Sequence, residues 1–301
     1  MATAPLNPDD YAPRHDVPVG GRSGFTIVDG RQVHYLEWGT VRSPNVLCLH
    51  GGGQTAYMYE ELGAALAPKY HVLAPDLPSH GDSDPIEDIA GDRHALAATV
   101  PPLFGTFGIA PAVVVGASLG GITAITFAAR HPDLVGGIVL IDIGHRLEEE
   151  GVRRIIDFLR AHESFASLDE AAAEISRYLP QRKQVRAESL TRNLRQRADG
   201  RWIWKHGMGR RFREEGGPEA MPDWRNILEG LADDAASLAC PVLVLRGGKS
   251  DVLSDQGAEE IADIVPDSRL RTVANAGHLA AGDNPESTVG LVKAFLAEIA
   301  W

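Results

Sequence analysis

Val113-Val114-Val115 runs straight into Gly116-Ala117-Ser118-Leu119-Gly120-Gly121, so a β-branched apolar run hands over to a hydroxyl fenced by glycines. Three consecutive valines favour a buried strand, and residues 119–130, stopped by His131-Pro132, have the content of a helix. A strand that gives way to a helix within one residue needs a sharp turn, and side chains on either flank would clash with it. Gly-x-Ser-x-Gly leaves that space free and pushes the serine hydroxyl outward.

The same rhythm recurs along the chain. Short strands are expected at 46–49, 72–74, 137–141, 242–245 and near 269–273, with helices at 57–66, 94–107, 255–264 and 285–299. Pro101-Pro102 must break or kink the second of these helices. Ahead of them, apolar runs at 25–28 and 33–38 flank Asp29-Gly30, a strong hairpin signal. Strands alternating with helices predict an α/β fold, with a mostly parallel, doubly wound sheet covered on both faces. Residues 1–22 read as an N-terminal arm, and 23–143 with 237–301 as the core. Residues 144–236 lack strand-like runs and carry helical spacing at 152–159, 168–179 and 185–194, so they read as a helical cap over one sheet edge.

With 301 residues, 44% of them hydrophobic and 23% charged, the chain has length for one large core or one domain with an insertion. A net charge of -12 repels a phosphate backbone, so no nucleic-acid partner is expected. There is no apolar run of the roughly 18 residues that a membrane span requires. The first 21 residues lack the apolar core of a signal peptide. Cys48 and Cys240 sit in or beside apolar stretches and read as buried thiols of a reduced compartment, so a cytoplasmic location is expected. The expected partner is a small-molecule substrate, with the chain a monomer or homodimer. Between Arg177 and Arg213, twelve lysines and arginines face two acids. That excess is either a surface laced to acids elsewhere or an attraction for an anionic substrate or partner subunit.

Parallel sheets place their ligands at the carboxyl ends of the strands, where Ser118 falls. A serine hydroxyl needs a base, and His278, in Asn275-Ala276-Gly277-His278 just past the last expected strand, reaches the same edge. Asp251, beyond the preceding strand, is the expected acid and completes the order serine, acid, histidine; Asp142, at the end of an earlier strand, is its rival. Oxyanion donors are expected from the amides of Leu119 and of Gly52, or else Gly53, in His50-Gly51-Gly52-Gly53. That loop lacks the Gly-Lys-Ser/Thr ending of a phosphate cradle, and no His-x-x-x-His or cysteine pair suggests a metal, so no cofactor is expected.

Taken together, His50-Gly51-Gly52-Gly53, Asp76-Leu77-Pro78-Ser79-His80-Gly81-Asp82-Ser83, Gly116-Ala117-Ser118-Leu119-Gly120, Gly247-Gly248-Lys249-Ser250-Asp251 and Gly277-His278 resemble the α/β-hydrolase fold superfamily. The resemblance implies eight strands with a cap between strands six and seven, and a capped serine hydrolase acting on a small carboxylic ester or lactone. It also leaves open carbon-carbon bond hydrolysis of dienoate ring-cleavage products, or a ligand-sensing binding protein. Serine at 118, where dehalogenase- and epoxide-hydrolase-like relatives carry aspartate, argues against those two reactions. Asp199-Gly200-Arg201-Trp202-Ile203-Trp204 resembles a tryptophan-bearing cap segment of such hydrolases. Gly53, Trp202 and Trp204 are accordingly expected to line the substrate pocket, with packing of the cap against the core the alternative for the two rings.

Overall fold

A computed structural model of the chain describes residues 17–86, 91–182, 185–208 and 224–301. Asp29 and Gly30 both take positive φ, at 49° and 77°, and turn β1 (Arg22–Val28) back on β2 (Arg31–Trp38) as an antiparallel hairpin. The arm expected over 1–22 falls largely outside the described residues. Its last part is tied down: Val19 donates its amide to Glu60 and accepts from the Trp38 indole, and Arg22 already belongs to the sheet.

The remaining strands of the main sheet are β3 (Asn45–Leu49), β4 (His71–Pro75), β5 (Ala112–Ala117), β6 (Val135–Ile141), β10 (Val242–Gly247) and β11 (Ser268–Val273). The order is β1-β2-β4-β3-β5-β6-β10-β11, parallel from β4 onward. Each central strand is buried on both faces because its residues alternate between two apolar layers. Val46, Cys48, Val113, Val115, Val139 and Ile141 share one layer. Leu47, Leu49, Val114, Ile138 and Leu140 share the other. Cys48 is buried and free, and burial pushes its thiol pKa up, as suits a small hydrophobe.

Helices close both layers, beginning with α1 (Glu60–Leu66), which packs Leu62 and Leu66 into the first. The expected break at the double proline separates α2 (Arg93–Ala98), capped by the Asp92 carboxylate, from α3 (Pro101–Phe107). The helix after Ser118 is α4 (Leu119–Arg130), which buries Ile122, Ile125 and Phe127 in the second layer. No helix among the described residues is long and apolar enough to cross a membrane.

The segment between β6 and β10 departs from its all-helical expectation. It contains α5 (Glu149–Ala161) and α6 (Leu168–Tyr178), but also β7 (Ser164–Phe165), β8 (Leu194–Gln196) and β9 (Trp202–Trp204), paired antiparallel in the order β7-β9-β8. Residues 185–194 are a short 3-10 helix followed by a strand, not an α-helix. Strands of two or three residues are too short to show a period of two, which is why sequence spacing does not reveal them. Phe165, Ala171, Ile175, Leu179, Leu190 and Leu194 form a separate core for this segment.

A tight crossing lies beneath Ser118. A Cβ on Gly120 would sit 2.0 Å from the Leu49 carbonyl oxygen, and one on Gly116 would sit 2.4 Å from that of Gly120. Gly290, by contrast, faces open space in the interior of the last long helix, Pro285–Leu296. Gly120→Ala is therefore expected to cost about 3 kcal/mol or to prevent folding, while Gly290→Ala gains roughly 0.5–1 kcal/mol. Urea unfolding of the two variants checks the contrast, and equal midpoints would contradict the crossing.

Candidate active site

Ser118 joins β5 to α4 with φ 48° and ψ -116°, a strained conformation for a residue that carries a side chain. It occupies the N-cap of α4, where serine normally spends its hydroxyl on the helix amides, yet it makes no such bond. The oxygen is thus left for other work. Its backbone amide donates to the Ile141 carbonyl at 3.2 Å, which sets the turn beside the end of β6.

The next residue, Asp142, is the carboxylate that His278 meets. His278 Nδ1 lies 2.8 Å from Asp142 Oδ2. The Asp142 side chain is fully buried and accepts two further bonds, from the Gly247 amide at 2.7 Å and from Ser250 Oγ at 2.5 Å. A carboxylate only accepts, so Nδ1 carries the proton in this contact and Nε2 of the neutral ring is left as the acceptor. The expected acid, Asp251, is corrected by this geometry. Its carboxylate is one-third exposed and pairs with Arg154 at 2.8 Å, while its backbone is packed under Gly151 of α5. The sequence signal for Asp142 was its setting: a lone charge in Leu140-Ile141-Asp142-Ile143 has to find donors when buried.

The glycine loop after β3 is held by two histidines. His50 Nδ1 donates to the Gly51 carbonyl, and its Nε2 accepts the Leu77 amide, both at 2.8 Å. His80 Nδ1 donates to the Pro78 carbonyl at 2.9 Å, and its Nε2 accepts the Gly53 amide at 3.1 Å. That bond consumes the donor that Gly53 was expected to offer a substrate. The Gly52 and Leu119 amides have no acceptor among the described residues. They are neighbours: a Cβ on Gly52 would lie 3.9 Å from that of Leu119.

Trp202 and Trp204 are brought to the inserted segment's own core. The Trp204 indole donates to the His162 carbonyl at 2.6 Å and packs edge-on against Phe165, and Trp202 lies against the same cluster. What reaches the glycine loop is His206 and Met208, which the sequence did not single out. A Cβ on Gly52 would lie 3.1 Å from Met208 Cε, and one on Gly53 3.4 Å from His206 Nε2. His206 stacks on Trp204 and accepts the Met208 amide at Nδ1, so its buried Nε2 carries the proton, with no partner among the described residues.

His34, Asp76 and Asp82 gather closely enough to hold a cation. Their donors are already spent: Asp76 takes His34 and the amides of Ala56 and Asp82, and Asp82 is paired with Lys205 at 2.7 Å.

Burial holds the His50 imidazole down to about 4 and that of His206 down to about 3, and it lowers His80 as well. The unfolded chain titrates these rings near 6.5 and so binds more protons below that pH. Their contribution to stability is therefore complete above about pH 6.5 and declines as the pH falls toward 4. Unfolding midpoints measured between pH 7 and pH 4 are expected to fall less steeply in His206→Gln than in the unsubstituted protein; parallel curves would show that His206 is not held neutral.

A family model described as the alpha/beta hydrolase family matches residues 46–291. An esterase of Mycobacterium tuberculosis, Rv0045c, is 29% identical over 278 residues, covering 89% of this chain and 88% of that protein. The 2-(acetamidomethylene)succinate hydrolase of Mesorhizobium japonicum is 27% identical, covering 84% and 88%. Among solved structures, an alpha/beta hydrolase from Novosphingobium aromaticivorans superposes with a TM-score of 0.75 at 28% identity, covering 92% of this chain and 98% of that one. With the eight-stranded sheet and the strained serine turn, these matches identify the chain as a member of the α/β hydrolase family and an enzyme of that family.

Proposed function

We propose that the protein hydrolyses a small carboxylic ester or lactone through an acyl-enzyme, with Ser118 as nucleophile, His278 as base and Asp142 as the acid that orients it. The observation that carries this reading is the 2.8 Å contact between His278 Nδ1 and a buried carboxylate one residue past the strand end that holds Ser118. That contact leaves Nε2 to take the Ser118 proton as Oγ attacks the carbonyl carbon. The tetrahedral oxyanion is stabilised by the Gly52 and Leu119 amides. Its collapse expels the alcohol, which takes the proton back from His278; water, deprotonated by the same ring, then attacks the acyl group and frees the acid and Ser118. Asp142 stabilises the imidazolium in both halves.

Similarity to a mycobacterial esterase supports the ester reading. Carbon-carbon hydrolysis of an anionic dienoate would draw on free cations near the site. Several cations of the basic stretch are already paired: Arg182 with Asp283, Arg192 with Glu60 and Lys205 with Asp82. Lys183, Arg210, Arg211 and Arg213 lie outside the described residues. The balance favours a neutral ester or lactone handled by a cofactor-free enzyme, and a cytoplasmic location is consistent with its free, buried Cys48.

Ser118→Ala is expected to abolish turnover of p-nitrophenyl butyrate while leaving the unfolding midpoint in place, and retained turnover would refute the nucleophile. Asp142→Asn should lower kcat by about 10³–10⁴-fold, whereas Asp251→Asn should stay within roughly twofold because it loses only an exposed ion pair. The reverse ranking in steady-state kinetics would return the acid to Asp251.

A further inference from the structure

The residues on either side of His278 are both tied to the inserted segment, Gly277 through Asp283 and Leu279 directly. On one side, the Gly277 amide donates to Asp283 Oδ2 at 2.9 Å. The same oxygen accepts Gln181 Nε2 at 3.0 Å, and Oδ1 faces Arg182 Nε at 3.3 Å. Gln181 and Arg182 follow α6 in the inserted segment, while Asp283 ends a short helix, Ala280–Asp283, of the core. On the other side, Leu279 packs against the segment's apolar cluster of Phe165, Ile175 and Leu179.

The fit has little slack. A Cβ on Gly277 would lie 2.5 Å from Gln181 Nε2, and one on Gly282 would lie 2.4 Å from the Arg182 guanidinium. The Asp283 side chain has no solvent exposure, and Arg182 is about a quarter exposed. A buried carboxylate needs its donors, and removing one partner leaves a charge that must find water or move. Two of the donors come from the inserted segment and one from the backbone next to His278, so without the segment the carboxylate would keep the Gly277 amide alone and any shift it made would carry the loop with it.

We propose that Asp283 is a positioning residue that couples docking of the inserted segment to the placement of His278, so that the imidazole is held in register with Asp142 only while Gln181 and Arg182 are seated. The catalytic consequence rests on His278 being the base; the mechanical coupling does not.

The test uses the full chain carrying Gln181→Ala with Arg182→Ala, substitutions in the inserted segment and away from the proposed triad and oxyanion donors. Hydrogen exchange at residues 275–283 is expected to accelerate by about tenfold or more, with the central strands unchanged. In the same variant, kcat for p-nitrophenyl butyrate should fall by about ten- to a hundredfold at nearly constant KM, and the acid limb of its pH profile should move. Arg182→Lys, which restores a cation, should recover part of both effects. Asp283→Asn added to the double variant should cost less than it does alone. Unchanged exchange and an unchanged pH profile, with only a lower unfolding midpoint, would overturn the coupling. If the unsubstituted protein turned over no ester, the hydrolase reading would fail while the exchange measurement still decided the coupling.

Discussion

A fully buried carboxylate at the end of a central strand organises this edge of the molecule. Asp142 takes a positive φ of 53° directly after β6 and is fully buried between the buried Ile141 and Ile143, so its charge is tolerated only if donors converge on it. The donors come from three separate places: the Gly247 amide at the end of β10, the Ser250 hydroxyl in the turn beyond it, and the His278 ring after β11. One buried acid thus holds together the ends of strands far apart in sequence, and the proposed base is among what it holds.

The neighbouring structures satisfy a related demand. The glycine loop after β3 cannot stabilise itself through side chains, and the His50 and His80 rings, each donating at Nδ1 and accepting at Nε2, fix its backbone instead. By taking up the Gly53 amide, His80 leaves Gly52 as the donor beside Leu119. Basic residues of the inserted segment are spent in the same manner. Arg192 makes a two-pronged contact with Glu60 at 2.6 and 3.1 Å, Lys205 reaches Asp82, and Arg182 reaches Asp283, each a part-buried ion pair between segment and core. Part of the cationic excess therefore serves docking, while Arg177, Arg197 and Arg201 find their partners within the segment itself.

Much of the core was legible because it follows from local periodicity. Val113-Val114-Val115 reads as a strand buried on both faces, Pro101-Pro102 as a helix break, Asp29-Gly30 as a hairpin turn, and each has that form. The inserted segment was less legible. Its strands of two or three residues carry no period, and Trp202 and Trp204 read as pocket walls, yet they turn into the segment's own apolar cluster. His206 and Met208, which meet the glycine loop, have no local pattern to distinguish them from any other histidine or methionine.

The sequence by itself determined the sheet, the sharp turn at Ser118 and the presence of a histidine past the last strand, since each depends on residues within a few positions of one another. Which acid meets that histidine was decided by tertiary structure alone. Asp142 and Asp251 both follow strands of the same edge, and chain position alone favours Asp251. The choice falls to Arg154 of the inserted segment, which captures Asp251, and to the Gly247 and Ser250 donors, which close on Asp142. Such contacts span about a hundred residues, a distance over which no short-range propensity acts.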